Sequence, residues 1–419
     1  MKKLIALIAI LSLCSTFALS EIKNVKIDGS LETLSINLDN STDLTKTDKD
    51  TGANDDLVNQ TLTRLMLGLS ADLTDKVSGK ILVYKNNRLW GTAGENVNDV
   101  LDQLNIANAY VTLEDVILDG LKLTVGRQFV GDPKDLLLYF GPLSDYDLRV
   151  SALDALKVEY GTDLLSVGLV GGKLIESGNP GNTDTDILAL MAATDKLVPA
   201  GTIALMYVNR TENDPVKDNI DSLQILGLDL KGAIPVVEGL SYKLLYAMNM
   251  GQVQKDVNYK GTGLVLGAGY ETELEVGKIN LKAEYASGSG DDVDTADNED
   301  FISFGSDYRY GKVYGKGLFG GNVGITNQTV VALKAGFTPS VILDGKLGLW
   351  AGYYMFDLTK VPSDAEKNLG NEIDVKVKYC LTDNVCLGLT YGIFTPGKAL
   401  ESIGKDAASV LAMNLNIKF

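Results

Sequence analysis

The sequence ends on ASVLAMNLNIKF (residues 408–419), in which every second residue from the end of the stretch is apolar. Leu411, Met413 and Ile417 share one side of an extended chain, and small or polar residues occupy the other. A chain terminus is usually frayed and polar, whereas this one is an amphipathic strand that ends on an aromatic residue, Phe419. The pattern indicates that neighbours hold both edges of the strand.

The same alternation recurs in TRLMLGLSADL (63–73), KINLKAEYAS (278–287) and EIDVKVKYCL (372–381). Period two over eight or more residues predicts strands, not helices. Mean hydropathy is +0.06 although 22% of the residues are charged. After the first 20 residues, no apolar run is long enough for a membrane-spanning helix. Apolar residues distributed in this way are typical of an antiparallel transmembrane β-barrel, with one face in lipid and the other in water.

Eighteen such runs can be counted, and sixteen is the alternative because the runs at 106–114 and 187–195 are weak. An even number places both termini at the same end, as single-chain barrels require. Short turns alternate with long polar segments, which predicts periplasmic turns and extracellular loops. A barrel of this size is too wide for side chains to fill, so we expect an aqueous channel.

The first 20 residues have the pattern of a Sec-type signal peptide. Lys2 and Lys3 precede an apolar run from Leu4 to Cys14, and a small-x-small ending precedes Glu21. The apolar run is too short for a membrane anchor. We therefore expect residues 1–20 to be removed and 21–419 to form one barrel domain in a bacterial, Gram-negative outer membrane.

Composition excludes several classes of function. The chain has no histidine, so Ser-His and Cys-His catalysis and His-ligated metal sites are ruled out, and we predict that it is not an enzyme. A net charge of −17 argues against nucleic-acid binding. Cys380 and Cys386 lie equally far from Asp383 in the turn LTDN (381–384) and share parity. In an oxidising compartment this spacing predicts a structural disulfide across the turn.

The segment LTVGRQFVGDPKDLLLYFGPLSDYDLR (123–149) runs from a strand into a loop with an apolar block at 136–140. If this block were exposed on an external loop, it would form an apolar surface patch prone to association. One interpretation is a loop folded into the channel as a constriction. The other is a loop packed against the barrel wall or a neighbouring subunit. The constriction interpretation places four side chains near the narrowest point: Arg127, Asp132, Lys134 and Asp147.

GRQ (126–128) followed by GD (131–132), with the aromatic segment DFISFGSDYRYGKVYG (300–315), resembles the alginate-export family of outer-membrane porins. The resemblance implies a monomeric eighteen-stranded barrel with arginines lining the lumen for an acidic polysaccharide. This chain departs from that pattern, since it has only six arginines and a net negative charge.

Strand parity predicts a lumen of mixed charge with a modest basic excess. That excess either solvates a wide channel or gives weak selectivity for anions. The candidates for lining the pore or its constriction are Arg64, Lys122, Arg127, Asp132, Lys134, Asp147, Arg149, Lys282, Lys376 and Lys378. Most aromatic residues have outward parity and predict interfacial girdles. Trp350, Tyr354 and Phe356 have inward parity and are candidates for stacking on sugars.

The acidic segment SGSGDDVDTADNEDF (287–301) could bind Ca²⁺ through residues 291–300, although it lacks the EF-hand spacing. A solvated external loop is the alternative. No other cofactor is expected.

These observations predict a porin for passive diffusion of small hydrophilic solutes, with weak anion selectivity. The alternatives are a substrate-specific channel for an oligosaccharide or anionic polysaccharide, and a structural or adhesive surface barrel. The expected partners are outer-membrane lipid and lipopolysaccharide, small solutes, and the outer-membrane assembly machinery, which would recognise Phe419. Monomeric and homotrimeric states both fit the pattern.

Overall fold

The structure is a computed structural model that describes residues 22–40, 42–45, 56–89, 104–176, 184–214, 219–292, 294–316 and 324–419. The predicted signal peptide at 1–20 lies outside the described residues. Among these ranges, no helix is both long enough and apolar enough to cross a membrane.

Eighteen wall strands are present in the described chain. The first nine are β1 (Lys23–Asp39), β2 (Val58–Thr74), β3 (Val77–Leu89), β4 (Asn105–Glu114), β5 (Leu121–Gln128), β6 (Leu153–Gly161), β7 (Ser166–Ile175), β8 (Thr185–Thr194) and β9 (Gly201–Asp214). The other nine are β10 (Asn219–Ala233), β11 (Leu240–Gln254), β12 (Thr262–Leu274), β13 (Gly277–Gly288), β14 (Gln328–Pro339), β15 (Leu347–Leu358), β16 (Asn368–Thr382), β17 (Val385–Pro396) and β18 (Ala408–Lys418). Among the described residues, the helical elements are short 3₁₀ turns at Tyr314–Lys316, Leu343–Gly345 and Lys398–Leu400.

Each wall strand pairs antiparallel with the next, and β1 pairs with both β2 and β18, which closes the barrel. Beyond the ladder, the Gly29 N–H donates to the Phe419 carbonyl at 2.8 Å, and the Phe419 N–H donates back at 3.1 Å. The terminal strand is therefore held on both edges, since a closed barrel has no free edge. The count of eighteen is confirmed, and both weak runs form strands.

The two faces of the wall differ as the alternation predicts. Leu65 and Leu67 on β2 and Ile81 on β3 are exposed on the outer face, whereas Glu32 on β1 and Arg64 on β2 point inward. The pattern repeats around the barrel because neighbouring strands are in register. Short turns join the strands at the end that carries both termini, and long segments join them at the other end.

Two long segments fold back into the barrel. Loop A is residues 129–152, between β5 and β6, and loop B is the described part of 289–327, between β13 and β14. Leu138–Tyr139 of loop A and Phe304–Gly305 of loop B pair as a short parallel ladder. Side chains of both loops belong to the buried core together with residues of the inner wall. The narrow part of the lumen is therefore built from loops, not from the strands.

Candidate functional site: the channel constriction

The apolar block of loop A lies inside the barrel. Leu136, Leu137 and Leu138 are buried, and Leu137 packs against the bare backbone of Gly227 on β10. A side chain at Gly227 would collide with Leu137. The loop thus enters the lumen and also packs on the wall, so the two interpretations of the sequence describe the same arrangement.

Arg64 on β2 anchors loop A. Its guanidinium donates to the Leu143 carbonyl at 2.8 Å and to the Arg149 carbonyl at 3.2 Å, and it forms a 2.6 Å ion pair with Glu32. A planar guanidinium suits this work because its donors have a fixed geometry. Arg64 was predicted to line the pore. It does point inward, but it is buried beneath loop A and faces the loop, not open water.

Glu372 at the loop end of β16 anchors loop B. Its fully buried carboxylate accepts the backbone N–H groups of Val313 and Tyr314, each at 2.8 Å, and also that of Lys312. Consecutive N–H groups that converge on one anion form a concave nest. Gly311 precedes them with φ +81°, and a Cβ there would lie 2.5 Å from the carboxylate. The loop sequence and the wall carboxylate are therefore matched to each other.

A second wall residue, Asn249 on β11, holds the beginning of loop B. Its side-chain amide donates to the Ile302 carbonyl at 2.9 Å and accepts from the Ile302 N–H at 2.7 Å. This paired contact resembles one rung of a β-ladder. Loop B is therefore pinned to opposite ends of the wall segment from β11 to β16.

The two loops are also bonded to each other. Asp307 of loop B accepts the Ser144 N–H at 2.8 Å and the Ser144 hydroxyl at 3.0 Å. Ser306 donates to the Tyr139 carbonyl at 2.8 Å. Asp307 is itself paired with Arg309, and both side chains are buried. Loops A and B therefore form one body across the lumen.

An aromatic cluster seals loop B against the wall. The Tyr314 ring lies 4.9 Å from that of Phe356 and 5.0 Å from that of Phe394, centroid to centroid. Burial raises the pKa of Tyr314 to about 12, so its hydroxyl stays protonated at neutral pH. Phe356 is only 1% exposed and Tyr354 is also buried. Loop B covers the Phe356 ring, so this ring is not available to stack on a sugar, contrary to the prediction from strand parity, whereas Tyr354 lines a cavity together with Trp350.

The prediction that Arg127 lies at the constriction is wrong. It lies on the outer face of β5, in register with Val125, and pairs there with Asp154 of β6 at 2.6 Å. The strand keeps its period-two alternation up to Gln128, so a residue two positions after an outward valine also points outward. Arg127 is therefore absent from the constriction.

The other charged residues of loop A remain inside the barrel. Asp132 and Lys134 are exposed to the lumen and line a cavity with Asp229 of β10. Arg149 is exposed but forms a 2.5 Å ion pair with Asp145. Asp147 is exposed on the loop surface. Loop A thus presents charges of both signs to the channel.

The inner wall carries lysines without carboxylate partners. The lysine girdle is a group of five inward lysines that form no salt bridge in the described chain: Lys122, Lys243, Lys282, Lys376 and Lys378. Most wall acids are already neutralised, as Glu159 by Lys157 and Glu284 by Lys334. Each of these ion pairs cancels one charge of either sign, so the lysines of the girdle remain as positive charge on the wall.

Comparisons with known proteins identify the family. A family model described as Gram-negative porin matches residues 6–395. This chain belongs to the Gram-negative porin family. The comparison with curated proteins finds no match. The match and the closed barrel place the porin in the outer membrane as an integral channel protein, and the family and fold are those of channels, not of enzymes.

Solved structures share the fold of this porin at low identity. OccK11 (OpdR) of Pseudomonas aeruginosa is 14% identical, with a TM-score of 0.62, over 94% of this chain and 96% of that one. The outer-membrane protein OpdK of P. aeruginosa is 12% identical, with a TM-score of 0.62, over 94% and 99%. The structure of P. aeruginosa OpdK with vanillate is 13% identical, with a TM-score of 0.60, over 94% of this chain and 98% of that one. The matches give no support to the alginate-export resemblance.

The periplasmic side of the porin carries a disulfide. Cys380 and Cys386 are directly opposite each other on β16 and β17, their Cα atoms are 4.0 Å apart, and their sulfurs are bonded. The bridge closes the turn at 382–385, and Cys386 lines the same cavity as Lys376 and Lys418. The disulfide therefore lies at the periplasmic mouth of the channel, where it links two neighbouring strands.

The acidic segment of loop B is held by lysines. Asp292 pairs with Lys360, and Asp297 pairs with Lys260, each at 2.5 Å. The described residues include no group of three or more acidic or cysteine side chains that could hold a metal ion. Val293 lies outside the described residues. The calcium prediction at 291–300 therefore gains no structural support.

These ion pairs predict an acid-sensitive loop. The Lys360 ammonium lowers the pKa of Asp292, and Lys260 lowers that of Asp297, below the ordinary value of 3.8. A lowered carboxyl pKa stabilises the folded loop above the ordinary pKa, and this stabilisation is lost as pH falls through the lowered value. Single-channel current noise should stay constant from neutrality to about pH 4.5 and rise below it.

The matched variants for this pH experiment are Lys360→Gln and Lys398→Gln. Lys398 is an exposed loop lysine paired with Glu366 outside loop B. Lys360→Gln should show modestly increased noise already at neutral pH, because exposed pairs contribute little, and Lys398→Gln should not. Equal current noise in the two variants at every pH would show that the ion pair between Asp292 and Lys360 does not hold the loop.

The anchors Glu372 and Asn249 were not predicted. Each is a polar residue on an otherwise ordinary amphipathic strand, and its partner is a loop backbone far along the chain. The loop sequence does contain one signal of burial. The segment 301–314 is too aromatic for a solvated loop, since it includes Phe301, Phe304, Tyr308, Tyr310 and Tyr314.

Proposed function

We propose that this porin is a water-filled channel for passive diffusion of small hydrophilic solutes with a weak preference for anions. The lysine girdle carries this proposal. Unpaired ammonium groups on a narrow, partly desolvated wall raise the local concentration of anions and lower that of cations. The paired carboxylates of the wall do not offset them. The exposed charges of loop A have both signs, so the preference is weak.

Reconstitution in planar bilayers tests the proposal. Stepwise conductance is expected, and in a KCl gradient the zero-current potential should have the sign of chloride preference. The triple variant Lys243→Gln, Lys282→Gln and Lys376→Gln should move that potential toward cation preference. The control is Lys196→Gln, Lys398→Gln and Lys405→Gln, which removes the same charge outside the lumen.

Two outcomes would contradict the proposal. An unchanged potential in the lumen triple variant would remove the role of the girdle. Absence of stepwise conductance from correctly folded protein would favour the structural or adhesive alternative.

We further propose that the assembly machinery recognises Phe419. The ring lies over Gly29, where a side chain would collide with it, and it remains partly exposed at the turn end of the barrel. In vivo, Phe419→Ala should lower the amount of assembled barrel without changing the conductance of the molecules that do assemble.

A further inference from the structure

A cavity of about 230 Å³ opens on the inner wall where β13 to β16 meet loop B. The wall contributes Lys282, Trp350, Asp374 and Lys376, and loop B contributes Lys312. Cations, an aromatic ring and a carboxylate converge here in a concave site. Small-molecule sites typically combine an apolar surface with a few convergent polar groups.

Trp350 forms an open platform in this cavity. Its indole lies across Gly336 and Gly348: a Cβ on Gly336 would be 2.9 Å from the indole Cδ1, and one on Gly348 would collide with the six-membered ring. The ring is 40% exposed, whereas the other two inward aromatic residues of β15 are buried. An apolar ring left open to a water-filled lumen offers its face to a ring of matching size.

Three lysines surround the platform without salt bridges in the described chain: Lys282, Lys312 and Lys376. Lys312 and Lys376 line this cavity together, so their like charges repel. A fourth, Lys334, is neutralised by Glu284. A bound anion would reduce the repulsion among the ammonium groups that line the cavity.

The type of cation favours a phosphate. The site has lysines and no arginine, and a guanidinium is the group that matches a planar carboxylate through two parallel hydrogen bonds. Ammonium groups on separate flexible stems can instead contact different oxygens of a tetrahedral phosphate. Asp374 in the same wall is buried at 6% exposure, and its charge opposes a second anionic group on the ligand.

We propose that this cavity binds a phosphorylated monosaccharide, with the phosphate among Lys282, Lys312 and Lys376 and the sugar ring on Trp350. The inference rests on the proposed channel function, because the cavity would be a binding step on the diffusion path. It goes beyond weak anion selectivity by naming the solute class.

The test uses glucose 6-phosphate as a blocker of single-channel current, with glucose and inorganic phosphate as comparisons. Glucose 6-phosphate should interrupt the current at about ten-fold lower concentration than either, since each contact adds roughly 1.4 kcal/mol. Trp350→Leu should make glucose 6-phosphate no better than phosphate. Lys312→Gln with Lys376→Gln should weaken both anions. Lys157→Gln, on the wall of a different cavity, should leave the ranking unchanged.

The outcomes separate the two proposals. A conducting, chloride-preferring channel that glucose 6-phosphate blocks no better than glucose would overturn the site and leave the channel function standing. Full preference retained in Trp350→Leu would overturn the ring contact. Absence of conductance in folded protein would instead contradict the channel function itself. Heat-dependent migration in SDS gels verifies that each variant is folded.

Discussion

Replacing Glu372 with alanine should widen the channel, because this carboxylate is the acceptor for three consecutive backbone N–H groups of loop B. Hydrogen bonds to a charged group are worth roughly 1.5–3 kcal/mol each, so their loss strongly weakens the attachment of this segment to the wall. Tyr314 would then leave its place between Phe356 and Phe394. The wall itself should persist, since the backbone pairing of residue 372 with β15 and β17 is unaffected.

Single-channel conductance measures this effect. Conductance of Glu372→Ala should rise on the order of two-fold, with frequent transitions, because the narrowest cross-section limits the current. Glu372→Gln keeps the volume and one acceptor oxygen but turns an amide NH₂ toward the backbone donors, so its effect should be intermediate. The matched control is Glu271→Gln, an inward carboxylate that pairs with Lys278 and holds no loop. A quiet, unchanged current in Glu372→Ala would show that loop B is held by other contacts.

The wall of this barrel is predictable because each strand separates lipid from water, so apolar and polar residues alternate along it. Even the weak run at 187–195 forms β8, with Leu188 and Leu190 exposed outside and Ile187 and Ala189 buried within. Arg127 shows the limit of the reasoning. Its position next to loop A predicted a place at the constriction, whereas strand parity places it on the outer face.

The loops follow no such periodic rule. The contact between Glu372 and the backbone of 312–314 joins groups almost sixty residues apart, and neither side shows a local pattern. The acidic run at 287–301 predicted a solvated external segment, and Lys260 and Lys360 hold its acidic residues in ion pairs, but nothing in this run indicates how the rest of loop B folds. Side-chain identity indicates that Phe301 and Tyr314 must be buried, but not against which strand.

Arg64→Ala and Glu372→Ala should be strongly coupled. Arg64 holds loop A to β2, Glu372 holds loop B to β16, and the loops are bonded to each other through Asp307 and Ser144. Each single variant leaves the pair of loops tethered from the opposite wall. The double variant removes both of these anchors and leaves only the Asn249 contact of those described above, so its population of enlarged-conductance openings should exceed the product of the single effects. Contacting networks typically show coupling of about 0.5–3 kcal/mol.

The coupling is measured from the fraction of time that each of the four proteins spends in the enlarged state. Asp307→Asn should weaken the joint between the loops, and the coupling should shrink in that background. Glu32→Gln is the matched control for Arg64, because it removes the ion pair and leaves both hydrogen bonds to loop A. Its conductance should stay close to that of the unaltered porin. Independent effects of Arg64→Ala and Glu372→Ala would show that loops A and B move separately, since two anchors on one rigid body cannot be released independently.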